Sequence, residues 1–445
     1  MIGMGYVGIP TAALFANVDN YNVIGIQRRS KRSGWKINYL NQGKSPIEGN
    51  EPGLSELIKA VVLKGKFHVT DDYSVIKNAD VILITVQTPV DENHIPQYDS
   101  LKDVSRTIGK YLRKGAMVCL ESTVAPGTTQ NIVKPILEEN SGLIAGKDFN
   151  LVFSYERVMV GRLLYNLKNM PKIVGGLTFK CTQRAVEFYK KIIKAEIYST
   201  DCLTAEVSKV TENTYRDVNI AFANEVALFC ESLGINVYDV RKFVNSLPYD
   251  PSNPSKNPHR NMHMPGAGVG GHCLPKDPWL LKYGVDTFGK KTVRSKVIIS
   301  SRTVNDFMPF HMKDLIESAL TEKGITLADS KICLLGYAFL NDSDDTRNTP
   351  ALPLYNLFKG KCKELIIHDP YVKFESGVDI TSDLDVALLN ADCVALVTGH
   401  NQYHNLSLNE LKKKMKTPII VDGRNVFNKL DCTSEGFTYR GVGIG

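Results

Sequence analysis

Short apolar runs alternating with helix-compatible segments occur twice in this chain, on either side of a stretch, 204–233, that contains neither Gly nor Pro. On the N-terminal side the runs are 22–26, 79–86, 116–121, 150–154 and 172–175; on the C-terminal side they are 331–335, 364–368, 392–397 and 418–421. Such alternation predicts parallel sheets covered by helices. Within 204–233, Val207, Val210, Tyr215, Val218, Phe222, Val226 and Phe229 recur near helical spacing and Gly234 ends the pattern, which predicts one long helix. At 445 residues the chain exceeds what one core holds. We expect an α/β protein with two doubly wound Rossmann-like domains, over 1–197 and 321–445, joined by a helical middle domain over 198–320. A faint internal echo supports the pairing: Asn78-Ala79-Asp80-Val81 and Asn390-Ala391-Asp392-Cys393 open strands at similar places in the two lobes.

Composition narrows the function class. Hydrophobic and charged fractions of 43% and 23% are ordinary for a soluble globular chain, and a net charge of +7 suits anionic small ligands. No Lys/Arg stripe with interleaved aromatics argues for nucleic acid. No run approaches the ~18 apolar residues of a membrane span. The first sixteen residues are apolar, yet they lack a charged n-region and are interrupted by Gly3, Gly5, Gly8 and Pro10. Nine scattered cysteines, with no C-x-x-C pair, fit neither a zinc framework nor a secreted disulfide scaffold. We expect no metal and a reducing, cytoplasmic location.

Gly3-Met4-Gly5-Tyr6-Val7-Gly8 has the G-x-G-x-x-G pattern that lets a backbone turn tightly against a pyrophosphate at a helix N-terminus. Residues 10–16 supply the helix and 23–26 the next strand. The strand expected before Gly3 is reduced to Met1 and Ile2, which suggests a truncated start. The acidic residue expected to hold the ribose hydroxyls is Gln27, followed by Arg28, Arg29, Ser30, Lys31 and Arg32. A basic cluster there accommodates a 2′-phosphate, so NADP stands beside NAD as a cofactor.

The segment 265–277 places five small residues just before Cys273, with His272 and Asp277 beside it. Glycine permits close backbone approach to a substrate. A following helix start favours the thiolate, the nucleophilic form of cysteine. A nicotinamide oxidant and a nucleophilic thiol together suit oxidation of an alcohol to an acid through a covalent thiohemiacetal and thioester. Lys209 and Asn213, at i and i+4 of the long helix, are candidates for oxyanion stabilisation. Asp277 and Glu156 are candidates for the base that activates water.

These motifs resemble the UDP-glucose/GDP-mannose dehydrogenase family over essentially the whole chain. The markers are the glycines of 3–8 with Tyr6 and Val7, Glu51-Pro52-Gly53-Leu54, Thr88-Pro89, Ser122-Thr123-Val124, Glu156-Arg157-Val158, Lys209 to Asn213, the Gly-rich loop to Cys273 and Asp277, Asp345-Thr346-Arg347 and Asp422-Gly423-Arg424. The resemblance implies a four-electron oxidation using two NAD per turnover. It makes Cys273 the nucleophile, Lys209 and Asn213 oxyanion stabilisers, Asp277 with Thr123 the holders of water, and Glu156 an aid to hydrolysis. It also assigns Thr88, Pro89, Thr123 and Arg347 to the cofactor. Arg157, Val158, Arg216, Gly268, Gly270, Gly271, His272 and Arg424 go to a UDP-sugar, and Arg260 reaches a neighbouring subunit's substrate, implying a homodimer or homotetramer. Glu156-Arg157-Val158, Arg216-Asp217-Val218-Asn219 and His272 before Cys273 resemble the branch acting on UDP-N-acetyl-D-mannosamine. Tyr155 and Val160 stand where relatives have proline, as does Gln87, and Leu340 replaces a substrate-contacting lysine.

Other readings make different demands. UDP-glucose or UDP-N-acetylglucosamine would serve the same chemistry. A two-electron relative, such as a 6-phosphogluconate or hydroxyacyl dehydrogenase, needs no cysteine. A non-catalytic nucleotide-sugar or dinucleotide sensor would release no NADH.

Overall fold

The computed structural model describes residues 1–31, 33–47, 51–159, 161–247, 252 and 261–445. It divides into two compact units, Met1–Glu212 with Trp279–Arg294, and Asn213–Pro278 with Ser295–Gly445.

In the first unit, β3 (Val81–Ile84), β4 (Met117–Leu120), β5 (Asn150–Phe153), β6 (Lys172–Gly176) and β7 (Ile197–Asp201) form one sheet in that order, and β1 (Val23–Ile26) pairs with β2 (Phe67–Thr70). Ile2, 1% exposed, bridges in parallel to Ile26 and to Ile84 and so joins the two sets. The central strand position is therefore filled, but by a single bridged residue. Both β4 and β5 are wholly buried, which explains their unbroken apolar character. One pairing departs from the expected all-parallel sheet: β6 runs antiparallel to β5. The alternation of runs does not encode strand direction, and the connecting helix Leu163–Asn169 is compatible with either sense.

The second unit carries a six-stranded parallel sheet in the order β10-β9-β8-β11-β12-β13. These strands are β8 (Lys331–Leu335), β9 (Glu364–His368), β10 (Ile380–Thr381), β11 (Cys393–Leu396), β12 (Ile419–Asp422) and β13 (Thr438–Gly441). Chain order reverses between β8 and β11, the place where such sheets take ligands. The Asn-Ala-Asp echo precedes β3 and β11.

The expected long helix is Cys202–Leu233. Ala223, Ala227 and Cys230 on it share a core with Met308, Met312 and Ile316 of the helix Lys296–Glu322 and with β8, β11 and β12. The helix Asp277–Phe288 returns the chain to the first unit, where Leu280 joins the core; a Cβ on Gly284 would lie 2.6 Å from the Pro126 carbonyl oxygen. Two expected α/β lobes and a connecting helix are thus found.

Candidate active site

The glycine motif links Ile2 to the helix Gly8–Ala16. Gly3 has φ +101°, and a Cβ on Gly8 would stand 1.9 Å from the Gly3 carbonyl oxygen, so neither position admits a side chain. Gly5 instead faces open space, with nothing within 4 Å of a built Cβ. No side chain caps this helix and its first turn carries no acid. An uncapped N-terminus beside an open glycine fits a pyrophosphate. Tyr6 is exposed and Val7 half-buried beside it.

At the end of β1, Gln27 accepts from Met4 N at 3.1 Å and donates to Ser33 Oγ at 3.0 Å. Arg29 is paired with Asp71 at 2.8 Å, whereas Arg28 is exposed and forms no ion pair among the described residues. Of the basic cluster, Arg32 lies outside the described residues, as do Val160 and Arg260. Thr88 is buried and donates to the Thr123 carbonyl at 2.6 Å, so these two sequence candidates are brought together; Pro89 is exposed.

Lys209 is buried rather than lying on a solvated helix face. Its Nζ donates to the Glu156 carbonyl at 3.0 Å and sits 5.1 Å above the Tyr155 ring. Glu156 itself is paired with Lys172, which is 2% exposed. Arg157 is committed to Glu212, at 2.8 Å, and to the Pro171 carbonyl, and Val158 packs at the rim of the core. Farther in, Glu206 accepts from Gly127 N, Thr129 N and Thr129 Oγ1 at 2.6–2.8 Å; burial pushes its carboxyl up to about 7 against those hydrogen bonds.

In the second unit, Asn213 donates from Nδ2 to Asp277 Oδ2 at 2.5 Å, and Lys276 Nζ lies 3.2 Å from Oδ1. Both Asp277 and Lys276 are buried. The amides of Lys276 and Asp277 donate to the Cys273 carbonyl at 3.0 and 2.8 Å, winding the turn that starts the helix. Cys273 is exposed; seven other cysteines are buried and Cys362 is intermediate. Burial, aided by Lys276 and Arg347, pulls the His272 pKa down to about 4, so its ring is neutral at pH 7.

In the Gly-rich loop, Gly268 and Gly271 have φ +134° and +91°, a backbone that favours glycine. Cβ atoms on Gly270 and Gly271 would strike the Phe339 side chain at 2.5 and 2.8 Å, and one on Gly268 would strike Pro350 at 2.8 Å. Protein, not open space, fills those positions. Gly271 N donates to the Arg347 carbonyl, and Asn348 Nδ2 to the Gly271 carbonyl. Arg424 donates from Nε to the Val397 carbonyl at 2.6 Å and from its guanidinium to the Gly268 carbonyl at 3.3 Å. It therefore braces the loop. Arg347 is held by Asp345, Arg216 is exposed, and Leu340 is 43% exposed.

A buried polar chain behind the loop escaped sequence reasoning. Arg302 donates to Asp217 at 2.5 Å, Asn305 to Asp217 at 2.9 Å, Asn224 to Asn305 at 2.9 Å, and Gly266 N to Asn224 at 2.9 Å. The Asp217 in the Arg216-Asp217 pair was its only visible trace.

The chain is similar to known proteins over nearly its whole length. Residues 1–193 match the NAD-binding domain of the UDP-glucose/GDP-mannose dehydrogenase family, 203–307 its central domain and 333–429 its UDP-binding domain. A UDP-N-acetyl-D-mannosamine dehydrogenase of Pyrococcus horikoshii is 36% identical over 446 residues, covering 100% of this chain and 99% of that one. A solved structure of the P. horikoshii UDP-D-ManNAc dehydrogenase superposes with a TM-score of 0.88 at 35% identity, covering 100% and 98%. Another, described as an NDP-N-acetyl-D-galactosaminuronic acid dehydrogenase from Methanosarcina mazei Go1, has a TM-score of 0.89 at 44% identity, covering 99% and 94%.

Proposed function

The chain belongs to the UDP-glucose/GDP-mannose dehydrogenase family, and from that premise we propose that it oxidises the C6 alcohol of a UDP-N-acetylhexosamine to the carboxylate, with UDP-N-acetyl-D-mannosamine as the first choice of substrate. It is an NAD-dependent oxidoreductase acting on a UDP-sugar. That class leaves the sensor reading without support.

Two NAD, bound in succession, supply the hydride acceptor for the two oxidations. The chain's own residues do the rest. The Lys209 ammonium and the Asn213 amide favour the oxyanions that form at C6. Cys273 Sγ adds to the aldehyde carbon and keeps the half-oxidised sugar attached, first as a thiohemiacetal and then as a thioester. Asp277, with Thr123, holds water; Glu156 takes its proton as the oxygen bonds to C6 and the thiolate of Cys273 departs. Arg157, Arg216, Arg347, Arg424 and Arg260 are the cations assigned to the ligands.

The observation that carries this reading is the exposed thiol of Cys273, in the turn that leads into the helix Asp277–Phe288, whose first residue accepts from Asn213. NADH released per UDP-sugar tests it: the expected count is two, and one would restore the two-electron reading. A panel of UDP-N-acetyl-D-mannosamine, UDP-N-acetyl-D-galactosamine, UDP-N-acetyl-D-glucosamine and UDP-glucose tests the sugar. The galacto-configured member enters because of the name borne by the M. mazei structure.

We propose self-association as well. Tyr215, Phe222 and Phe229 recur every seven residues on the long helix and are 57–67% exposed. A seven-residue apolar stripe on a helix suits a second copy. Light scattering should give a dimer or tetramer, and Phe222→Glu should lower the mass to that of one chain.

A further inference from the structure

The antiparallel pairing of β6 with β5 carries a consequence for Glu156. Phe153 pairs with Gly175 and Val152 with Gly176. Extending that register three residues past the strand end sets Lys172 opposite Glu156. A parallel β6 would begin at the opposite edge of the sheet; the reversed strand delivers a lysine to the carboxyl edge of β4 and β5, where ligands of such sheets bind.

Lys172 is enclosed there. It forms an ion pair with Glu156, donates to the Tyr155 carbonyl at 3.3 Å, stands 3.8 Å from Glu121 and lies 4.3 Å from the centre of the Tyr189 ring. Tyr189 donates to Glu121 at 2.5 Å and its hydroxyl is 3.2 Å from Cys119 Sγ. The α-amino group of Met1 also acts on Glu121. Lys209 reaches the same residue, Glu156, through its main-chain carbonyl. A buried carboxylate needs a partner to remain ionised and oriented.

We infer that Lys172 is the positioning residue for Glu156, fixing its carboxylate for the hydrolysis of the Cys273 thioester, and that Glu121 balances the lysine's charge from the other side. This rests on the reading of Glu156 given above. Burial raises the Glu121 carboxyl to about 7 although Lys172 opposes it. Burial alone would lower the lysine's own pKa; Glu156 and Glu121 more than offset it, and the ammonium persists.

The test is rapid-mix kinetics of the full-length enzyme with its best UDP-sugar. In the step concerned, water oxygen bonds to C6, the C6–Sγ bond breaks with its electron pair going to sulfur, and the water proton goes to Glu156. Lys172→Met should keep a fast burst of two NADH per site, while steady turnover falls about 100-fold, the size of a lost general base. Intact mass should show the sugar acyl group on the protein, and Lys172→Arg should restore most of the turnover. If the unpaired carboxylates prevent Lys172→Met from folding, Lys172→Met with Glu121→Gln removes one of them and should show the same burst. A loss of burst and turnover together, or normal turnover in both lysine variants, overturns the inference. Glu156→Gln separates the two claims. Its acyl-enzyme with a normal Lys172→Met sinks only the lysine's role, whereas normal turnover of Glu156→Gln sinks the reading of Glu156 and the inference with it.

Discussion

Asn213 donates to the Asp277 carboxylate across 2.5 Å, joining the long helix to the first residue of the helix that follows Cys273. Asn213→Asp would set two carboxylates in contact, and at neutral pH their repulsion would replace the hydrogen bond. We expect turnover to fall about 100-fold at neutral pH. The ratio to wild type should rise toward acid pH, where the shared proton restores the hydrogen bond. Asn213→Ala should lose activity evenly across the profile. Parallel pH–kcat profiles of the three proteins make the comparison.

Alkylation should find Cys273 first. The other cysteines are buried or half-buried, and burial holds the thiols of Cys333 and Cys432 up at about 12. A substoichiometric dose of iodoacetamide should modify the tryptic peptide carrying Cys273 and abolish NADH formation in step with labelling. Inactivation that tracks a different peptide would remove Cys273 from the reaction.

Cofactor preference follows from Gln27. Because it offers no carboxylate to repel a 2′-phosphate, and exposed Arg28 stands next to it, NADP should bind within an order of magnitude or so of NAD. Gln27→Asp should weaken 2′-phosphate binding about tenfold or more and spare NAD. Titration with adenosine 2′,5′-bisphosphate against AMP reads this directly by calorimetry, apart from turnover. Equal weakness of both proteins toward the 2′-phosphate would show that Arg28 contributes nothing.

His272 gives a pH dependence of stability. Its folded pKa, about 4, lies below the ordinary histidine value of 6.5, so the unfolded chain binds the extra proton between those values. Stability contributed by the neutral ring is present above pH 6.5 and is lost as pH falls toward 4. Glu121 and Glu206, with raised pKa values, slope the other way as pH rises through 7. The difference between wild type and His272→Gln isolates the histidine. The variant should lose less Tm between pH 6.5 and 4.5 (roughly the window of the shift) than the wild type does.

Removing Arg302 should be costly. Its guanidinium and Asp217 are both at least 98% buried, and Arg302→Met leaves that carboxylate unpaired. A loss of about 3 kcal/mol is expected from the urea midpoint. Asp217→Asn in the same chain should recover part of it. A change within ~0.5 kcal/mol would deny the chain from Arg302 to Gly266 any role in holding the loop.

The sequence disclosed most of the strands because β3, β4, β5, β8, β11 and β12 are short, apolar and covered on both faces. It hid others for the opposite reason. Ile197–Asp201 has mostly half-exposed or exposed side chains, and Phe67–Thr70 alternates buried with exposed over only four residues. Cys273, Asp277 and Glu156 were legible as chemistry from motif and family resemblance. The burial of Lys209 was not, since helical spacing alone does not tell a pocket from solvent. Nor was Lys172, whose position depends on the sense of β6. The glycines before Cys273 were legible as a special backbone, but their neighbour is Phe339, which lies sixty-odd positions later in the chain.

The reversal of β6 also sets a rule for tolerated change. Extra residues in the irregular stretch between β5 and the helix Leu163–Asn169 would shift Glu156 and Arg157, which lie in it, away from Lys172 and Glu212. A one-place slip of β6 along β5 would turn every side chain of the strand to the opposite face, carrying the ammonium away from its carboxylates and into the hydrocarbon layer on the far side. Homologous chains should therefore keep both the length of this stretch and the strand's phase.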